Sequence, residues 1–100
     1  MAQREVVIVD AVRTAFGRMG GTLKDIYCSK LGTIGIDGLL EKTKIMEKAH
    51  VESVFLGSAT GCSQSGNPAR HALLGSALGY ETSASYVEMQ CGSAIDSINH

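Results

Sequence analysis

The chain has no tryptophan, a single proline and only three cysteines, and just 5% of its 100 residues are aromatic. So few aromatics leave no stacking platform for nucleic-acid bases. Nine basic residues against ten acidic ones give a net charge of −1, and no basic cluster suggests a surface for a phosphate backbone. No run approaches the ~20 apolar residues that a membrane span requires. Met1 to Glu5 resemble neither a secretory leader nor an Arg/Ser-rich presequence. Cys28, Cys62 and Cys91 are odd in number, widely spaced and without a Cys-x-x-Cys pair. That argues against a disulfide framework and against a zinc site. A reducing, cytoplasmic setting with no bound metal is the expectation.

What is present is an ordinary globular composition, 44% hydrophobic and 19% charged. A chain this long makes at most one domain. Glu5–Val12 is a nearly continuous β-branched run and reads as a first strand covered on both faces, as in parallel sheets. Arg13–Gly21 reads as a glycine-rich loop. From about Asp25 to Lys44, Leu31, Ile34, Leu39 and Leu40 recur at helical spacing, with lysines crowding the end where cations suit the dipole. Gly32, Gly35 and Gly38 would give that helix a smooth strip for close packing.

Val51–Ser58 predicts a second strand and Ala59–Gly66 a loop of small polar residues. Asn67-Pro68 is an N-cap followed by proline in the first turn. The helix it opens would bury Ala69, Ala72, Leu73, Ala77 and Leu78 and stop at Gly79. Tyr86–Gln90 predicts a third strand, and Cys91 opens a third helix with Ile95 and Ile98 three apart. Alternating strands and helices imply an α/β fold with a parallel or mostly parallel sheet. The helical pattern still runs at Ile98-Asn99-His100, so the chain is expected to be the N-terminal piece of something longer.

Cys91 is the leading candidate for chemistry. At the carboxyl end of a strand, where open α/β sheets gather their functional groups, and at the start of a helix, its thiolate would be favoured. Gly92 and Ser93 leave room for a substrate. The competing reading is a small buried hydrophobe, which most free cysteines are. The nucleophile elbow of hydrolases does not apply, because Met89 and Ser93 stand where its glycines belong. Cys28 lies in a mixed apolar setting. Cys62 sits in Gly61-Cys62-Ser63-Gln64-Ser65-Gly66, a loop without the Gly-Lys-Ser/Thr ending of a phosphate loop. A cysteine nucleophile usually needs a base within reach. His50, His71 and His100 all fall at positions unsuited to Cys91. Glu88 is expected on the opposite face of its strand, and Asp96 as a solvated or interface charge.

Four segments, in order, carry a family resemblance. They are Val9-Asp10-Ala11-Val12-Arg13-Thr14-Ala15-Phe16-Gly17-Arg18, then Gly21-Thr22-Leu23-Lys24-Asp25 with Leu31-Gly32, then Gly66-Asn67-Pro68-Ala69-Arg70, and Gln90-Cys91-Gly92-Ser93-Ala94. The chain resembles the N-terminal part of a thiolase, of the acetyl-CoA acetyltransferase or 3-ketoacyl-CoA thiolase type. Ala15 replaces the family's proline. Glu88 stands where asparagine is common, and Ala94 where glycine often follows Cys-Gly-Ser.

The resemblance implies an α/β/α layered half-domain, incomplete within residues 1–100 and cut inside the helix that bears the nucleophile. It makes Cys91 the acylated cysteine, with its backbone N–H as an oxyanion donor. It implies acyl-CoA substrates, no resident cofactor, the remainder of a thiolase polypeptide as partner, and a homodimer or homotetramer. The activating histidine, the acid/base cysteine, the oxyanion asparagine and the CoA-binding loops would lie in later sequence, so residues 1–100 alone are expected to be inactive. The alternatives are a ketoacyl-synthase or hydroxymethylglutaryl-CoA-synthase relative, which the Val-Asp-Ala-Val-Arg-Thr and Asn-Pro-Ala-Arg segments suit less well, and a non-catalytic interaction module.

Overall fold

The computed structural model describes residues 3–61 and 66–100. Along the chain come α1 (Cys28–Thr43), a 3-10 turn (Ile45–Glu47), β1 (Ser53–Gly57), α2 (Pro68–Leu74), β2 (Ser83–Val87) and α3 (Ser93–Asn99). The two strands pair in parallel, in register from Ser53 opposite Ser83 to Gly57 opposite Val87. The class is α/β, as the alternation predicts.

Side chains alternate across a strand, and β1 uses this to hold two layers. Leu56 turns towards α1 and α2: a β-carbon added to Gly32 would lie 2.9 Å from Leu56 Cδ1 and 3.0 Å from Ala72 Cβ. Phe55 and Gly57 share the other face. There Phe55 stacks on His100 with ring centroids 5.4 Å apart, and Gly57 meets the backbone of Ser93. Thus α1 and α2 cover one side of the sheet and α3 the other. Of the predicted glycine strip only Gly32 is used this way, since nothing lies within 4 Å of a β-carbon added to Gly35 or Gly38.

The core centres on α2, whose Ala69, Ala72 and Leu73 are fully buried. Burying one such leucine side chain contributes about 1.5–3 kcal/mol. The helix starts as its sequence predicts. Asn67 Oδ1 accepts the Arg70 N–H at 3.1 Å, and Pro68 occupies the first turn without wasting a donor. Asn67 Nδ2 then donates to the Ala84 carbonyl (3.2 Å) and Arg70 Nη1 to the Thr82 carbonyl (2.9 Å), fastening α2 to β2.

Thr33, buried on α1, donates its hydroxyl to the Ala72 carbonyl at 2.7 Å. That carbonyl belongs to the last turn of α2, where intrahelical partners run out. Thr33→Val keeps the shape and removes the donor, so a loss of about 1–3 kcal/mol is expected in a urea titration. An unchanged midpoint would show that water takes over the carbonyl.

Before the Cys91 turn, three elements differ from the sequence expectation. Residues 5–12 form no ladder: Val6 and Ile8 are 89% and 87% exposed, and Val7 and Val9 also face outwards. A β-branched run favours extended backbone, but a strand exists only where an edge accepts its hydrogen bonds. The segment is held instead by Lys42, whose Nζ reaches Asp10 Oδ1 at 2.8 Å and the Ala11 carbonyl at 3.1 Å. The Lys42 hydrogen bond, followed by that of the Ala11 N–H, holds the Asp10 carboxyl below its ordinary range.

Helix α2 stops at Leu74 with Gly75 as its C-cap, short of the predicted Gly79. Ser76 turns both its N–H (3.0 Å) and its hydroxyl (2.6 Å) onto the Leu73 carbonyl, and Asp37 takes the Ala77 N–H (2.8 Å). Serine competing for nearby backbone groups ends helices in this way. Consequently Ala77 is exposed and Leu78 only half-buried. The last strand lies at Ser83–Val87 rather than Tyr86–Gln90. Its register follows the ladder to β1, including the Ser53–Ser83 hydroxyl pair at 2.7 Å, and not the apolar residues after it. Among the described residues, no helix is long and apolar enough to cross a membrane.

Candidate active site

Beyond Val87 the chain leaves the sheet and turns sharply before α3 begins. Gln90 adopts φ +49°, in the left-handed region that non-glycine residues seldom enter. Gly92 donates its N–H to the Met89 carbonyl (3.0 Å) and Ser93 to the Gln90 carbonyl (3.2 Å), closing the turn around Cys91. The Ser93 hydroxyl clasps the same turn from inside. It accepts the Met89 N–H at 2.8 Å and donates to the Gln90 carbonyl at 2.7 Å. Ser93 is only 2% exposed.

Cys91 itself is exposed. Within the described residues its side chain is not part of the packed core. It lies past the carboxyl end of β2, the edge where α/β sheets place reacting groups. One expectation is corrected. Cys91 does not open the helix: Gly92 is the N-cap and Ser93 the first helical residue. The N–H groups of Gly92 and Ser93 are drawn back into the turn, which delays the helix by two residues. Cys91 therefore stands one residue before the N-cap and not within the first turn of α3.

The other candidates are scattered. Cys28, not Cys91, occupies the first position of a helix, with its Sγ 3.9 Å from the Gly61 carbonyl. Cys62 and the loop through Ser65 lie outside the described residues. His50 precedes β1 and so sits at the amino ends of the parallel strands, opposite the edge that carries Cys91. His71 is exposed on α2. His100 stacks on Phe55 and lies 3.7 Å from Asp96, one helical turn earlier. Asp96 is therefore the partner of that histidine. Glu88 does not project from the far face of a strand: it lies after β2, and its Oε1 accepts the Gln90 N–H at 3.2 Å. Among the described residues, no group of three or more His, Cys, Asp or Glu side chains is placed to hold a metal ion.

Sequence reasoning gave Ser93 only the part of leaving room for a substrate and missed Gly57; Ser93 is instead buried, and both residues shape this turn. Serine next to a helix start is a recognisable capping signal, although here it caps backwards, into the preceding turn. Gly57 carries no local signal at all. It is required only because the backbone of Ser93 crosses the end of β1 against its α-carbon.

The chain is similar to known proteins along most of its length. A family model for the thiolase N-terminal domain matches residues 6–100. An acetyl-CoA acetyltransferase of Schizosaccharomyces pombe is 37% identical over 95 residues, covering 95% of this chain and 24% of the relative. A mitochondrial acetyl-CoA acetyltransferase of Danio rerio is 38% identical over 94% of this chain and 22% of its own length. The Escherichia coli acetyl-CoA acetyltransferase is 37% identical over 95% of this chain and 24% of its own length. The chain therefore spans about a quarter of the length of these relatives. With a match running through both strands, all three helices and the Cys91 turn, the chain belongs to the thiolase family, within its N-terminal domain.

Proposed function

We propose that the protein is an acyltransferase of the acetyl-CoA acetyltransferase type and that Cys91 is its nucleophile. The observation that carries this reading is the position of Cys91: an exposed thiol in a tightly bonded turn at the carboxyl end of the sheet, in a chain of the thiolase family. The Cys91 thiolate attacks the carbonyl carbon of an acyl-CoA thioester, and its backbone N–H is offered as one donor to the oxyanion that forms. Collapse of that intermediate breaks the bond to the CoA sulfur. CoA leaves as its thiol after taking a proton, and the acyl group stays on Cys91.

A second acyl-CoA loses its α-proton to a base, and the carbanion attacks the acyl carbonyl. The carbon–carbon bond forms as the Cys91 thiolate is expelled, giving a 3-ketoacyl-CoA. In reverse the sequence is thiolysis. CoA enters and leaves as substrate and product, so no resident cofactor is invoked. Proton transfer is worth about 10²–10⁴-fold, and none of the three histidines is placed to serve Cys91. Residues 1–100 thus make the N-terminal part of a thiolase N-terminal domain and depend on further thiolase sequence for turnover. The whole protein is proposed to be a homodimer or homotetramer. Among the described residues each of the two strands pairs along one edge only, and Met89 in the Cys91 turn and Ile95 and Ile98 on α3 are exposed.

The test is to trap the acyl-enzyme of the full-length protein with acetyl-CoA and map it by peptide mass spectrometry. An acetyl group on Cys91 is expected. An acetyl group on Cys28 or Cys62 instead would overturn the assignment.

A further inference from the structure

We infer that Ser93 and Gln90 are positioning residues for Cys91: the Ser93 hydroxyl locks Gln90 in its left-handed conformation, and that conformation sets the direction in which the chain presents the Cys91 sulfur. The inference rests on Cys91 being the acylated residue and adds how its aim is fixed.

A left-handed non-glycine residue persists only where its surroundings over-determine it. Here they do so on both sides of Gln90. Its N–H is taken by Glu88 Oε1 at 3.2 Å. Its carbonyl receives the Ser93 hydroxyl at 2.7 Å and the Ser93 N–H at 3.2 Å. The same hydroxyl accepts the N–H of Met89, the residue before, at 2.8 Å. One side-chain oxygen therefore bonds to the backbone on both sides of the unfavourable φ angle. Gln90 is exposed, so residue choice at position 90 acts chiefly through the backbone.

The clasp has a fixed anchor. Ser93 is buried and its backbone rests on Gly57 at the end of β1, so the position of the sheet is passed to the turn through the Ser93 hydroxyl together with its N–H. A return of Gln90 to ordinary extended backbone would swing the following residue, Cys91, to another direction. In a hydrolase elbow, glycines provide the room for the sharp turn. This chain has no glycine at 89, 90 or 93 and holds the turn by hydrogen bonding instead.

The experiment uses the full-length enzyme and steady-state kinetics with acetyl-CoA. Ser93→Ala is expected to lower kcat about 10²-fold, the scale of an ångström-sized misplacement, while KM stays within about twofold. The discriminating variant is the double substitution Ser93→Ala with Gln90→Gly. Glycine enters the left-handed region without steric cost, so kcat should recover about tenfold or more, a barrier difference of about 1.4 kcal/mol. Gln90→Val, which resists that conformation and leaves Ser93 untouched, should reproduce the loss and serves alone if Ser93→Ala does not fold. An unchanged kcat in Ser93→Ala or Gln90→Val overturns the inference, as does a Ser93→Ala loss that glycine at 90 fails to recover. Acyl mapping separates the two levels. Acetyl on Cys91 with these outcomes sinks the positioning role alone, whereas acetyl on another cysteine sinks the nucleophile assignment.

Discussion

Cys91→Ala in the full-length protein is expected to remove acyl-CoA turnover while leaving the fold in place. Deleting a nucleophile costs on the order of 10⁴–10⁶-fold in kcat, because the remaining groups of a catalytic set cannot act without it. The stability cost should stay within about 0.5 kcal/mol, since the side chain is small, exposed and away from the core. A steady-state assay and a thermal melt on the same preparation check both halves. Residual turnover above about 1% of the parent, well outside the nucleophile scale, would move the covalent step to another residue. A large drop in melting temperature would mean that the thiol packs against something in the complete protein.

The second large effect concerns Gly57. A β-carbon there would fall on the Ser93 carbonyl, 2.5 Å from its carbon and 2.8 Å from the Ala94 nitrogen. Every clashing atom is backbone, so no rotamer change can make room. Gly57→Ala is expected to destabilise by about 1–3 kcal/mol as an overpacked site. It should also depress kcat, because the start of α3 and the turn before it must move. Gly38→Ala is the matched control. Nothing stands within 4 Å of its added β-carbon, and alanine inside a helix is favoured over glycine by up to about 1 kcal/mol. Urea titrations of the two variants should shift in opposite directions. A shift of Gly57→Ala towards greater stability would mean that α3 does not lie against β1 in solution.

Much of the fold was legible because it rests on local signals. Asn67-Pro68 names a helix start by chemistry that acts within four residues, and the structure places it there. The apolar periodicity of residues 25–44 and the short run at 51–58 mark α1 and β1 to within a few residues. Failures arose where the deciding partner was distant in sequence. Val6 to Val9 have every local property of a strand, yet pairing is a property of two segments, and here the segment is fastened by Lys42 and not by a ladder. Gly75 ends α2 because Ser76, Asp37 and Thr33 capture backbone groups at that end, and two of those three belong to another helix. At the candidate site, the strand–cysteine–helix order was readable. The left-handed Gln90 and the two-residue delay of α3 were not, since both depend on where the Ser93 hydroxyl points.

The ladder between β1 and β2 also bears on how the molecule acquires its shape. Its pairs join residues 30 apart, and closing a flexible loop of that length costs about 3 kcal/mol in chain entropy before any bond is rewarded. Two strands of five residues return little against that cost. The route open to the chain is to shorten the loop first. Once α2 has formed, Asn67 and Arg70 fasten it to residues 82–84, and the search left to β1 is over the short stretch between Gly57 and Pro68. In that order of events the polar side chains at the head of α2 would convert a long-range encounter into two short ones.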